Sequence, residues 1–193
     1  MIFEERIYPL GDKKLMLRSA TEADAEMLQS YIKTVTGETR FLMCESDEMN
    51  ITAEDELEFI KAHLESPGEM LIVGFIVEDE DNERREVYVG NCSFERVGGS
   101  RRYAHRAGIG IALYQKYTGL GIGKQMLRAL LEEIKSQGYE QAELTVVGGN
   151  ERAIHLYESF GFTEYGRLRN ANKYDDGTYA DDILMVKTFG QND

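Results

Sequence analysis

Ala107-Gly-Ile-Gly-Ile-Ala-Leu113-Tyr114, then Thr118-Gly119-Leu120-Gly121-Ile122-Gly123-Lys124, then Gln125-Met-Leu-Arg-Ala-Leu-Leu-Glu-Glu-Ile134 reads as a strand, a glycine-dense turn and an amphipathic helix. Ile122, Met126, Leu130 and Ile134 recur every fourth residue with Leu127 and Leu131 beside them. That is one broad apolar stripe, ending near Gly138, and it must cover a sheet. A turn of this kind exposes successive N–H groups at a helix start, where the dipole also favours negative charge. Glycine lets an anion approach closely and permits the positive φ angles that turn N–H groups inward, and Lys124 adds a cation. The ATPase phosphate loop is excluded, because Gln125 follows Gly123-Lys124 and Thr118 stands where its first glycine belongs. The dinucleotide fingerprint is excluded too, since its third glycine falls on Lys124 or Met126. Taken alone, a glycine turn that merely packs a helix on a strand explains the same pattern.

Working outward, Gln141 to Val147 alternates Ala142, Leu144 and Val146 against Gln141, Glu143 and Thr145, which predicts a strand, and Asn150 then opens a short helix through Phe160. Tyr165 to Tyr174 and Thr178 to Thr188 flank an Asp176-Gly177 turn as a hairpin. On the N-terminal side, Met70 to Val77 and Val87 to Val97 read as a second hairpin across the polar stretch Glu78 to Arg85. Before it, Leu15 to Ser19 is a strand. The capping boxes Thr21-Glu-Ala-Asp24 and Thr52-Ala-Glu-Asp55 open two helices, one expected to run to about Lys33 and the other to stop at Pro67-Gly68. The order predicts an α/β chain with a mixed, mostly antiparallel central sheet of about seven strands flanked by about four helices.

The 193 residues are 42% hydrophobic, which fits a single domain over residues 1–193 with a sizeable core. A formal charge of −13 argues against a phosphate-tracking nucleic-acid binder and favours cationic partners. The longest apolar stretch, Met70 to Val77, is eight residues, too short to span a membrane, and Met1-Ile-Phe-Glu-Glu lacks a signal pattern. A soluble cytoplasmic protein is expected. Cys44 and Cys92 form no framework, and His63, His105 and His155 are scattered, so no metal is expected.

Thr118-Gly-Leu-Gly121-Ile-Gly123 resembles the [QR]-x-x-G-x-[GA] acyl-CoA signature of the GNAT N-acetyltransferase superfamily, with Thr118 replacing the usual Gln or Arg. Asn150-Glu-Arg-Ala153-Ile-His-Leu156-Tyr157-Glu-Ser-Phe-Gly161-Phe162 is similar to that superfamily's N-x-x-A-x-x-L-Y-x-x-x-G-F segment. The resemblance implies the GNAT fold and an acetyl-CoA-dependent transfer of an acetyl group directly to a primary amine of a small molecule or peptide. It implies cofactor contacts from Leu113, Thr118, Gly119, Leu120, Gly121, Ile122, Gly123, Lys124 and Asn150, and Tyr157 as general acid. An ordinary apolar stripe through Ala153, Leu156, Tyr157 and Phe160, and a plain helix cap at Asn150, are the structural alternatives.

For the general base, ribosomal-protein alanine acetyltransferases place a Glu five residues before the motif's Asn, where this chain has Thr145; Glu95, Glu143, His105 and Asp182 are the candidates, with water as a further proton carrier. The acidic residues Glu45, Asp47, Glu48, Glu54, Asp55, Glu56 and Glu58, with no base between Arg40 and Lys61, form either a funnel for a cationic amine or a solvated helix face. Relatives also imply a homodimer. Two other functions compete: a non-catalytic acyl-CoA-binding sensor of the same fold, and a nucleotide-binding regulator.

Overall fold

In the structure, a computed structural model describing residues 1–42, 44–80 and 83–190, two strands rather than one open the chain. β1 (Arg6–Leu10) and β2 (Lys13–Ser19) pair antiparallel from Arg6↔Leu17 to Leu10↔Lys13 around Gly11, whose φ is 62°. β1 is five residues long and lies at the sheet edge, where Pro9 gives up no needed N–H donor.

Thr21 and Asp24 do form a capping box, but it opens a 3₁₀ turn (Glu22–Asp24) before α1 (Ala25–Glu38). Arg18 holds Asp24 through two hydrogen bonds of 2.7 and 2.8 Å, keeping that carboxyl below its usual range against the opposing cost of burial. α1 runs past Lys33, and within the extension the Thr34 and Thr36 hydroxyls donate back to the Ser30 and Ile32 carbonyls. α2 (Ala53–Glu65) begins as its sequence predicts, with Thr52 N–H donating to Asp55 at 2.8 Å and Asp55 N–H donating to Thr52 at 3.2 Å.

β3 (Met70–Glu80) and β4 (Glu83–Arg96) form the expected hairpin. Much of the polar stretch Glu78 to Arg85 is strand, ending in the pair Glu80↔Glu83; its residues 81–82 lie outside the described residues. The chain continues through β5 (Arg106–Leu113), a 3₁₀ turn (Gln115–Tyr117), α3 (Ile122–Ser136), β6 (Gln141–Val147), α4 (Glu151–Ser159), β7 (Thr163–Lys173) and β8 (Tyr179–Thr188). The strand order is β1-β2-β3-β4-β5-β6-β8-β7, eight strands where about seven were expected. β5 and β6 are parallel, and the other ladders described here are antiparallel.

The chain divides into two compact units, and the division cuts β5 and α3. The first comprises Met1–Glu95 and Gly110–Leu130. Its strands alternate between two buried faces. Met16, Val73 and Phe75 pack with Leu28, Tyr31 and Ile60 from α1 and α2. Around Gly74, the Leu17, Val89 and Met126 side chains come so close that an added Cβ would sit 3.2–3.4 Å from each.

The second unit comprises Arg96–Ile109 and Leu131–Asp193. Here β6 pairs with β8 from Gln141↔Thr188 to Val147↔Asp182, and Leu144, Val146, Phe162, Ile183 and Met185 are buried. Gly177, at φ 80°, closes the β7–β8 hairpin, and a register shift brings Asn170 to φ 53° with its N–H on Asp181 at 2.9 Å. Along α3 the predicted stripe is buried as Ile122, Met126, Leu127, Leu130, Leu131 and Ile134, each worth about 1.5–3 kcal/mol against exposure. No helix among the described residues is long and apolar enough to cross a membrane.

Candidate active site

The glycine turn is built in the first unit. β5 ends at Leu113, the chain passes through the 3₁₀ turn, and Thr118 to Gly121 lead into α3. Gly119 and Gly121 stand at φ 79° and 84°, and no atom lies within 4 Å of where a Cβ would sit on either. Backbone conformation, not crowding, therefore requires glycine here. Gln125 N–H is the first of the helix to reach back, to Gly121 O at 3.2 Å. The N–H groups of Ile122, Gly123 and Lys124 precede it and take no intrahelical partner.

The side chains of this stretch play unequal parts. Ile122 is fully buried and anchors the helix start, while Leu120 and Lys124 are exposed. Thr118 donates its hydroxyl to Gln115 O at 2.7 Å and so closes the 3₁₀ turn locally. Leu113 sits half-buried where Gly90 of β4 lies tightly against β5: a Cβ on Gly90 would lie 2.3 Å from Ala112 O and 2.8 Å from Leu113 Cα.

Asn150 and Tyr157 belong to the second unit. Asn150 caps α4, its Oδ1 accepting from Ala153 N–H at 3.3 Å. Tyr157 is buried with its ring 5.8 Å from that of Phe162, edge to face, and its carbonyl accepts the N–H groups of Phe160 and Phe162. Burial pushes its phenol up to about 12, so it is protonated at neutral pH and suited to act as an acid rather than a base. In the same unit the parallel ladder of β5 and β6 consists of Arg106↔Gln141, Ala107↔Ala142 and Gly108↔Glu143.

The candidate bases fare differently. Both Glu143 carboxylate oxygens accept from Arg106, Oε2 from Nη2 at 2.5 Å, and Gln141 adds a third bond at 3.0 Å. The Arg106 guanidinium holds this carboxyl below its usual range, which makes Glu143 a brace across the ladder and a poor proton acceptor. Asp182 accepts from Asn172 Nδ2 at 2.7 Å. Glu95 is exposed, and His105 offers its carbonyl to the N–H groups of Glu140 and Gln141. His63 and His155 each place Nδ1 on the carbonyl four residues earlier, and no cluster of metal-binding side chains occurs among the described residues.

The acidic segment also divides. Asp55 is committed to the α2 cap, and Glu56 is buried, which pushes its carboxyl up. Glu54 joins Glu22 and Glu26 in lining a shallow groove of about 290 Å³ with Ala25, Ala53 and Leu57.

Two features have no counterpart in the sequence patterns. Tyr31, Tyr88 and Tyr114 stack edge to face with centroids 5.0 to 6.2 Å apart, and Glu38 accepts Gln115 N–H at 2.6 Å across 77 residues. Gly90 is the one local sign of the first, since a glycine inside a strand marks a bulge or a close approach.

The family described as Acetyltransferase (GNAT) matches residues 32–162, more than half of the chain. The [ribosomal protein bS18]-alanine N-acetyltransferase of Escherichia coli (strain K12) is 37% identical over 76 residues, 39% of this chain and 51% of that protein. The chain thus spans about half the length of the curated relatives it matches. An acetyltransferase of the GNAT family from Streptococcus pneumoniae superposes with a TM-score of 0.80 at 24% identity, covering 91% of this chain and 99% of that one. The Salmonella typhimurium protein yncA, solved with its cofactor acetyl-CoA, gives a TM-score of 0.76 at 18% identity over 92% and 95% of the two chains.

Proposed function

The chain belongs to the GNAT acetyltransferase family, and from that premise we propose that it is an acetyl-CoA-dependent N-acetyltransferase acting on a primary amine of a small molecule or peptide. The observation that carries the reading is the turn at 119–124. Two glycines at positive φ open onto a helix whose first three N–H groups take no intrahelical partner, which suits the diphosphate of coenzyme A. Recognition by main-chain N–H groups tolerates Thr118 in place of Gln or Arg. The reading takes residues 1–193 as parts of one catalytic domain, with Leu113 main chain near the thioester, Asn150 toward the pantetheine arm and Tyr157 as the acid.

The reaction needs a neutral amine to attack the thioester carbonyl, N–H groups to stabilise the resulting oxyanion, and a proton for the departing thiolate. The three-pair ladder of β5 and β6 supports the second requirement, because β5 continues to Leu113 beyond its last pair at Gly108. A phenol near pKa 12 gives its proton to a thiolate of parent pKa about 8.5 only where burial strengthens the thiolate as a base as well. With Glu143 braced by Arg106, Glu95, His105, Asp182 and water are the remaining routes for proton removal from the incoming ammonium. A peptide α-amine is the first acceptor to try, given the E. coli relative's name.

Release of CoA thiol across peptide N-termini, polyamines, aminoglycosides and amino acids tests this. Tyr157→Phe is expected to lower kcat by 10²-fold or more, on the scale of general acid catalysis, with acetyl-CoA affinity within about twofold of wild type. Acetyl-CoA binding without release of thiol to any amine would favour an acyl-CoA sensor; stabilisation by ATP and not by acetyl-CoA would overturn both readings. The charge of the groove predicts a cationic acceptor: Glu26→Gln with Glu54→Gln should raise the acceptor KM several-fold, less so at high salt. Identical acceptor kinetics at all salt concentrations would leave those glutamates as a solvated face.

A further inference from the structure

Tyr114 and Gln115 join β5 to the cofactor turn, and both are held by elements distant in sequence. The β3–β4 register passes from Gly74↔Gly90 to Phe75↔Tyr88, so Val89 is an extra residue, bulged out of the ladder. The bulge frees the Val89 carbonyl, which accepts Tyr114 N–H at 3.0 Å. The Tyr114 ring stands edge to face on Tyr31 of α1 at 5.0 Å and on Tyr88 at 6.2 Å, and Tyr31 and Tyr88 meet at 5.1 Å. One residue on, Gln115 N–H donates to the carboxylate of Glu38, the last residue of α1, at 2.6 Å.

We infer that Glu38, together with the Tyr31–Tyr88–Tyr114 cluster, is a clamp that sets the conformation of the coenzyme-binding turn from the far end of α1. Glu38 is thus a positioning residue for acyl-CoA binding, an inference that rests on the acetyltransferase reading above. The 3₁₀ turn Gln115–Tyr117 lacks a side-chain cap of its own, and Tyr114 at its cap position supplies no acceptor. Glu38 takes that place with a charge-assisted bond to the turn's first N–H. Two residues after the 3₁₀ turn the chain reaches Gly119, where positive φ leaves the turn little local restraint, so the orientation of the following N–H groups depends on how the entry is held. The same contact joins α1 to the turn, so occupancy of one is felt at the other.

Three variants and one exchange measurement test the clamp. Glu38→Ala removes the acceptor, Glu38→Gln keeps an oxygen at the same reach, and Tyr114→Leu removes the edge-to-face ring contacts. Glu38→Ala is expected to raise the acetyl-CoA Kd and KM several-fold with kcat within twofold, because releasing the entry lowers the population of the binding-competent turn. Glu38→Gln should recover most of that affinity, and Tyr114→Leu should raise the Kd several-fold. In the wild-type protein acetyl-CoA should slow amide exchange at Val35–Glu38 as well as at 119–124; in Glu38→Ala only the second effect should persist. Wild-type affinity in Glu38→Ala, or a fall in melting temperature without a change in Kd, overturns the clamp. If Glu38→Ala does not fold, absence of protection at Val35–Glu38 in the wild type overturns it equally. Failure of the wild type to bind acetyl-CoA would instead reject the acetyltransferase reading.

Discussion

Glu143→Gln separates a structural carboxylate from a catalytic one. The substitution keeps size and one acceptor oxygen but deletes the charge that Arg106 grips from both sides. A hydrogen bond to a charged group contributes about 1.5–3 kcal/mol net. The Arg106 and Glu143 side chains are 26% and 11% exposed, so solvent screens part of that, and glutamine retains one of the two bonds. The expected loss is about 2 kcal/mol, or about 4–8 °C in melting temperature for a chain of this length.

The sign of the pH dependence follows from the depressed carboxyl. Its contribution is complete above the ordinary value of 4.5 and is lost as pH falls through the folded-state value below it. Wild-type melting temperature should therefore fall more steeply than that of Glu143→Gln below about pH 4.5, and the two curves should run parallel above it. Scanning fluorimetry from pH 3 to 8, paired with kcat/KM profiles, reads both quantities. A variant that melts like wild type yet loses the alkaline rise of kcat/KM would refute the brace and make Glu143 the base.

The turn and the tyrosine cluster give two more expectations. Gly121→Ala meets no neighbour, so its cost is the conformational cost of φ 84°, about 1–2 kcal/mol, and it should lower melting temperature by a few degrees while weakening acetyl-CoA tenfold or more by calorimetry; unchanged affinity would dissociate the turn from coenzyme binding. Tyr31→Phe deletes a buried hydroxyl with no hydrogen-bond partner among the described residues; the Asn91 N–H exerts a weak pull on it, outside bonding geometry. Its stability in urea should equal or exceed wild type, and a loss above about 1 kcal/mol would reveal a partner for that phenol.

Periodicity made α3 and β6 legible, because a stripe every fourth residue and a strict alternation each allow one element only. The two capping boxes placed both helix starts near Thr21 and Thr52. Less was visible where local rules conflict. β1 is short and contains Pro9, both signs that argue against a strand unless it lies at an edge. The extension of α1 to Glu38 runs through Thr34, Thr36 and Gly37, all weak helix formers, with the two threonine hydroxyls bonded to the preceding turn.

The site divided along the same line. Gly119, Gly121 and Asn150 announce themselves by type, since each does its work through local backbone or cap geometry. Arg106 and Glu143 are 37 residues apart, and nothing in a linear pattern distinguishes a braced glutamate on a strand from a free one.

A site that binds through main-chain N–H groups places its information in the residues that shape the main chain. Thr118, Leu120 and Lys124 lie within the motif, yet the first closes a local turn and the other two point to solvent, so none of them fixes where the N–H groups of 122–124 aim. Gly119 and Gly121 permit the required path without enforcing it, because glycine is permissive at positive and negative φ alike. Enforcement has to come from the ends. Ile122, fully buried, fixes the exit, and the Val89 carbonyl, the tyrosine rings and Glu38 fix the entry. On the proposed reading, drift at Thr118 from the family signature is compatible with coenzyme binding, whereas substitution of Gly90 or Glu38, outside any motif, reaches the proposed coenzyme turn through its backbone.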